Sequence, residues 1–169
     1  MKAVSFIGLM CLSLSVPCAP AAMAEQTPVI LSIHTEQQQS SPENSILPVR
    51  MTLSDLRALP VASFETTTIW TMEPQVFSGV WLATLLAHHG ITTGTLELVA
   101  INDYRVEIPV NDIYPGGALL AYERNGEEML LRDKGPLWLV FDWDDNPAYR
   151  NEIHYSRSIW QLDRIIVKR

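Results

Sequence analysis

Both cysteines of this chain, Cys11 and Cys18, lie in a leader-like N-terminal segment. Everything beyond residue 18 must therefore hold its shape without a disulfide and act without a thiol. Met1 and Lys2 give a short positive start, and Ala3 to Val16 is largely apolar. Ala22-Met23-Ala24 then supplies the small-x-small pattern of a secretory cleavage site. The reading is a cleaved signal peptide over residues 1–24 and a single periplasmic domain over residues 25–169. The apolar run is too short for a membrane span, and Pro17 before Cys18 is a poor match to a lipidation site. No later apolar stretch reaches spanning length, so no direct membrane insertion is expected.

A domain of this size buries roughly 68–70% of its unfolded surface, enough to fold on a hydrophobic core alone. The formal net charge is −7 at pH 7, and loss of Lys2 makes it one unit more negative. Nucleic acid is excluded as a partner, because no broad basic face exists to neutralise phosphates.

The local signals describe many short strands. Val29 to His34 reads as a strand, and Gln37 to Asn44 as a polar loop. Thr52-Leu53-Ser54-Asp55 is a capping-box start to a short helix that Pro60 ends. Ser63 to Ile69, rich in threonine, has strand character. A second helix is predicted from Gly79 to His89, with Val80, Trp81, Leu82, Leu85 and Leu86 as its apolar face. Leu96 to Ile101 and Tyr104 to Ile108 flank an Asn102-Asp103 turn. Ala118 to Arg124 and Glu128 to Leu131 flank Asn125-Gly126, a strong hairpin signal. Leu137 to Phe141 and Leu162 to Val167 complete the set. The fold class is α+β, a mixed sheet with a few short helices.

The block Arg132-Asp133-Lys134-Gly135-Pro136-Leu137, followed by Arg157-Ser158-Ile159-Trp160, resembles the molybdopterin-binding domain of the sulfite oxidase family. Phe64 to Thr71 resembles that family's Thr-rich strand, and Asp103-Tyr104 to Pro109 resembles its Asp-x-Tyr hairpin. The resemblance implies a sulfite-oxidase-like fold. It also implies that the molybdenum-ligating cysteine has become Thr71, whose neutral hydroxyl cannot replace a thiolate on a high-valent metal. No molybdenum is expected. A pterin pocket is implied instead, with Trp70, Tyr104, Tyr155 and Trp160 as faces for the flat bicycle. Asp133 would accept from its amino group, Arg132 and Arg157 would donate to its oxygens, and Thr71, Lys134 and Ser158 complete the candidate site.

Small, exported, cysteine-free chains of this kind are similar to periplasmic regulatory proteins that hold a reduced pterin. Such proteins report occupancy to the periplasmic region of an inner-membrane GGDEF/EAL-type protein that makes or degrades cyclic di-GMP. The expected role is non-catalytic ligand sensing. The rival is a small molybdopterin-dependent oxidoreductase, and a third reading is an interaction domain without a pocket.

Plainer roles stand beside these. Trp81 and Trp138 read as core. Arg132 and Asp133 can form a structural ion pair, and Arg157 can pair with Asp163 or Glu152. His88 and His89, about 100° apart on a helix, cannot easily share one ion and suit a helix C-terminus. Asp142 to Asn146 lacks the glycine and distal glutamate of a calcium loop.

Overall fold

The computed structural model describes residues 27–36 and 48–169. The expected leader and the polar loop at 37–44 lie outside them. Strand β1 (Val29–Thr35) is followed by β2 (Val49–Thr52), which runs directly into helix α1 (Leu53–Arg57). The capping box forms as the sequence predicts. Thr52 Oγ1 accepts from the Asp55 N–H at 3.3 Å, and the Asp55 carboxylate accepts from the Thr52 N–H at 2.8 Å.

Next come β3 (Ala62–Thr66), β4 (Gln75–Trp81), helix α2 (Leu82–His88), β5 (Thr95–Ala100) and β6 (Arg105–Pro109). The second half holds β7 (Ala118–Arg124), the two-residue β8 (Glu127–Glu128), β9 (Trp138–Phe141), helix α3 (Glu152–Arg157) and β10 (Leu162–Lys168). Asn125 and Gly126 turn β7 into β8 with φ of 55° and 80°, the pair of positive values that such a two-residue hairpin needs.

The strands form two sheets. One has the order β2-β1-β10-β5-β6, with β1 and β10 parallel and the remaining pairs antiparallel. The other has the order β3-β4-β7-β8, with β9 also paired to β7, and is antiparallel throughout. Leu31, Ile33, Leu98 and Ile165 of the first sheet join Phe77, Val80, Leu119 and Leu139 of the second in one hydrophobic cluster. Residues 118–122 of β7 and all of β9 are buried on both faces. A shared core of this extent provides the cohesion that an absent disulfide would otherwise supply.

Three expectations change. The second helix begins at Leu82, not Gly79, because Gly79, Val80 and Trp81 pair with Ala121, Leu120 and Leu119 of β7. Trp81 stacks on Phe64 across the β3–β4 pair, centroids 5.8 Å apart and 13° from parallel. Its apolar neighbours mimic a helical period only because both elements bury the same face. The Thr-rich strand stops at Thr66, since the next hydroxyls turn to side-chain and backbone partners and compete with the ladder. Finally, a helix that the local sequence signals leave unmarked, α3, lies between β9 and β10, started by Asn151, whose Oδ1 accepts from the His154 N–H at 3.1 Å.

Candidate functional site

Three segments from distant parts of the sequence meet at one edge of the molecule. The turn after β3 brings Trp70, the β5–β6 turn brings Asn102 and Tyr104, and α3 with the following residues brings Tyr155, Ser156, Ser158, Ile159 and Trp160. Together with Ala100 they line a cavity of about 420 Å³. This falls within the roughly 300–1,000 Å³ of typical small-molecule sites.

Trp70 is the hub. Its half-buried indole meets Trp160, Trp138, Trp143 and Tyr155 edge-on, with centroid distances of 5.5, 5.9, 6.0 and 6.3 Å. Edge-to-face contacts of this kind fix the orientation of the rings around the cavity. The turn beneath it is set locally. Thr68 Oγ1 accepts from the Trp70 N–H at 3.1 Å and shares a 2.9 Å hydrogen bond with the Thr71 hydroxyl.

A clasp fixes this turn to the far side of the fold. Buried Thr66 accepts from the Trp143 and Asp144 N–H groups at 3.1 and 3.2 Å. Asp144 accepts from the Thr67 N–H at 2.6 Å, from the Thr67 hydroxyl at 2.8 Å and from Arg150 at 2.5 Å. These bonds hold the Asp144 carboxyl below its ordinary range, the Thr67 N–H contributing most. They also fix the position from which Trp70 projects.

The rim carries the polar groups. The Tyr104 hydroxyl donates to the Ser156 carbonyl at 3.2 Å, tying the β5–β6 turn to α3. Asn102 Oδ1 accepts from the Tyr104 N–H at 3.2 Å, and its amide nitrogen has no partner among the described residues. Asn102 is therefore a donor at the rim. The sequence showed it only as a turn residue.

Of the ten candidates, Trp70, Tyr104, Tyr155, Ser158 and Trp160 are brought together here. Lys134 stands beside them: its Nζ lies 3.9 Å from the Trp160 ring centroid, a cation–π contact. Burial, then the charge of Arg124, lowers its pKa. Thr71, Arg132, Asp133 and Arg157 do not line the cavity. Thr71 is engaged with Thr68. Arg132 forms a 3.5 Å pair with Asp133 while its side chain is 80% exposed. Arg157 pairs with Asp112 at 3.0 Å, and not with Asp163 or Glu152.

Helix α3 rests on a titratable cluster. The His154 ring packs on Phe141 and Tyr149 at 5.0 and 4.8 Å and shares a 3.0 Å contact with Asn151 Oδ1. Burial, then the charge of Arg157, lowers its pKa, with Asp112 opposing. Tyr149 is pushed up to about 12 by burial first and then by its short hydrogen bond with Tyr114.

A histidine held neutral in the fold contributes stability above its unfolded value of about 6.5 and loses it as pH falls through the lowered folded-state value. Acidification from pH 7.5 to 5.5 should therefore lower the thermal midpoint. His34 and His89 shift in the same direction, so the difference between wild type and His154→Gln isolates this residue. The midpoint of the variant should fall less steeply across that window; an equal slope removes His154 from the account.

No family model matches the sequence, and no curated protein matches it. Among solved structures, the chain is similar to the crystal structure of the sulfane dehydrogenase SoxCD from Paracoccus pantotrophus, with a TM-score of 0.56 and 16% identity. The match covers 82% of this chain and 37% of that one, so the chain spans little more than a third of the length of its neighbour. At this identity the likeness is one of fold alone, and it supports a distant sulfite-oxidase-like architecture.

Proposed function

We propose that this chain is an exported, non-catalytic pterin-binding module. In this reading it relays occupancy to the periplasmic region of an inner-membrane cyclic-di-GMP signalling protein. The observation that carries the proposal is the aromatic cavity itself: Trp70, Tyr104, Tyr155 and Trp160 gathered around about 420 Å³. A pterin is a flat, polar bicycle, and its faces suit such walls. The free amide of Asn102 at the rim suits its hydrogen-bonding edge.

Molybdenum does not suit the same residues. Thr71, at the position where the family resemblance places a thiolate, offers only a neutral hydroxyl already bonded to Thr68. The oxidoreductase reading therefore has no soft anionic ligand to rest on, and no redox step is assigned to this chain. Relay to a partner requires that bound and free forms differ in affinity for it, typically by about 1–3 kcal/mol. The stretch from Asp142 to His154, clasped to the Trp70 turn, is well placed to carry that difference.

The test is a titration of the purified protein with a tetrahydropterin, followed by calorimetry and tryptophan fluorescence. Saturable binding with quenching is expected, and its absence ends the proposal. Metal analysis of protein exported from a host that makes the molybdenum cofactor is expected to find none at stoichiometric level. Stoichiometric molybdenum that disappears in Thr71→Ala would establish the oxidoreductase instead.

A further inference from the structure

Tyr155 also lines a second, smaller concavity of about 230 Å³, together with Thr67, Thr68, Ile69, Trp143 and Arg150. The two spaces flank one turn, with Trp70 on the first and Thr67 to Ile69 on the second. Their chemistry differs. No charged side chain lines the first, whereas the second presents a guanidinium.

Arg150 is held from behind. Its Nε donates to the Trp143 carbonyl at 2.8 Å and its Nη2 to Asp144 at 2.5 Å. Asp144 is also satisfied by both donors of Thr67, which directs its charge into the clasp. Arg150 Nη1 and the Tyr155 hydroxyl have no partner among the described residues. The arginine side chain is 49% exposed. A preorganised guanidinium with a free donor is suited to an oxygen acceptor. The space is below the usual size of an independent small-molecule site, but it adjoins the aromatic cavity through Tyr155.

We propose that this concavity is a subsite for an oxygen-bearing substituent on the ligand whose ring occupies the larger cavity, with Arg150 Nη1 and the Tyr155 hydroxyl as its donors. The proposal rests on the ring-binding reading above and adds which ligands the site prefers.

The experiment compares two reduced pterins, one with a methyl group and one with a trihydroxypropyl group at the same ring carbon. The trihydroxypropyl compound should bind wild type about tenfold more tightly, the size of one hydrogen bond to a charged group. That ratio should fall toward one in Arg150→Gln, and should fall in Tyr155→Phe, which keeps the ring and loses only the hydroxyl. Any general damage to the ring site acts on both ligands and cancels in the ratio. Equal affinities in wild type, or a ratio unchanged in both variants, would overturn the subsite while leaving ring binding standing. Failure of both compounds to bind would overturn both readings.

Discussion

Trp70→Ala is expected to remove pterin binding to a depth of roughly tenfold to a hundredfold, the range that loss of one aromatic stacking surface produces. It should also destabilise the fold by about 2–3 kcal/mol, somewhat under the cost of deleting a fully buried aromatic. Both effects have one cause. The Trp70 indole is a neighbour of Trp138, Trp143, Tyr155 and Trp160 at once, so its removal unpins two walls of the cavity, Tyr155 and Trp160, besides deleting a third. Trp70→Phe should recover most of the stability and part of the affinity. Urea denaturation and calorimetry on the same preparations give the two readouts. Wild-type affinity in Trp70→Ala would mean that the cavity is not where the ligand sits.

Gly135→Ala should be the most damaging single methyl in the motif Asp133-Lys134-Gly135. A Cβ at Gly135 would lie 1.8 Å from the Met129 carbonyl oxygen and 2.4 Å from its carbon. Both are backbone atoms, so no rotamer change relieves the clash, and the cost should be about 3 kcal/mol or more. The same shift would carry Lys134 away from the Trp160 ring and strain the bond from the Gln161 N–H to the Lys134 carbonyl, now 3.1 Å. Gly126→Ala is the control. Its Cβ meets nothing within 4 Å, and only its φ of 80° is penalised, at about 1–2 kcal/mol. Urea denaturation midpoints that rank the two alike would refute the steric account.

What the sequence made legible was local. The Thr52–Asp55 box, the Asn102-Asp103 turn and the Asn125-Gly126 hairpin each depend on residues within three or four positions, and each forms where the pattern places it. Gly79 to Trp81 misled because an apolar run against a sheet reads equally well as helix or strand, and only pairing with β7 decides. The site divides along the same line. The aromatic residues from 155 to 160 follow from the family resemblance and do gather at the cavity, along with Trp70 and Tyr104. Asp144 and Arg150 were invisible as partners, since the bonds from Thr67 to Asp144 cross the fold and leave no periodic trace. Arg132 has the donor chemistry that a pterin edge would need, yet its side chain projects into solvent, a direction no motif encodes.

The placement of β10 has a consequence for how the site comes into being. β10 pairs with β1 on one side and β5 on the other, so Ser32 meets Arg164 while Ile165 meets Leu98. Without it, β1–β2 and β5–β6 are two unconnected hairpins. Closing that sheet joins segments near opposite ends of the described chain, the kind of long-range contact that slows folding. Trp160 and Gln161 immediately precede β10, and the Gln161 carbonyl receives the Ile101 N–H at 2.9 Å. The cavity is therefore completed by the same event that closes the sheet. A guest that fits it recognises the finished molecule and no earlier stage. By mass action it would draw the entire folding equilibrium forward instead of ordering one loop.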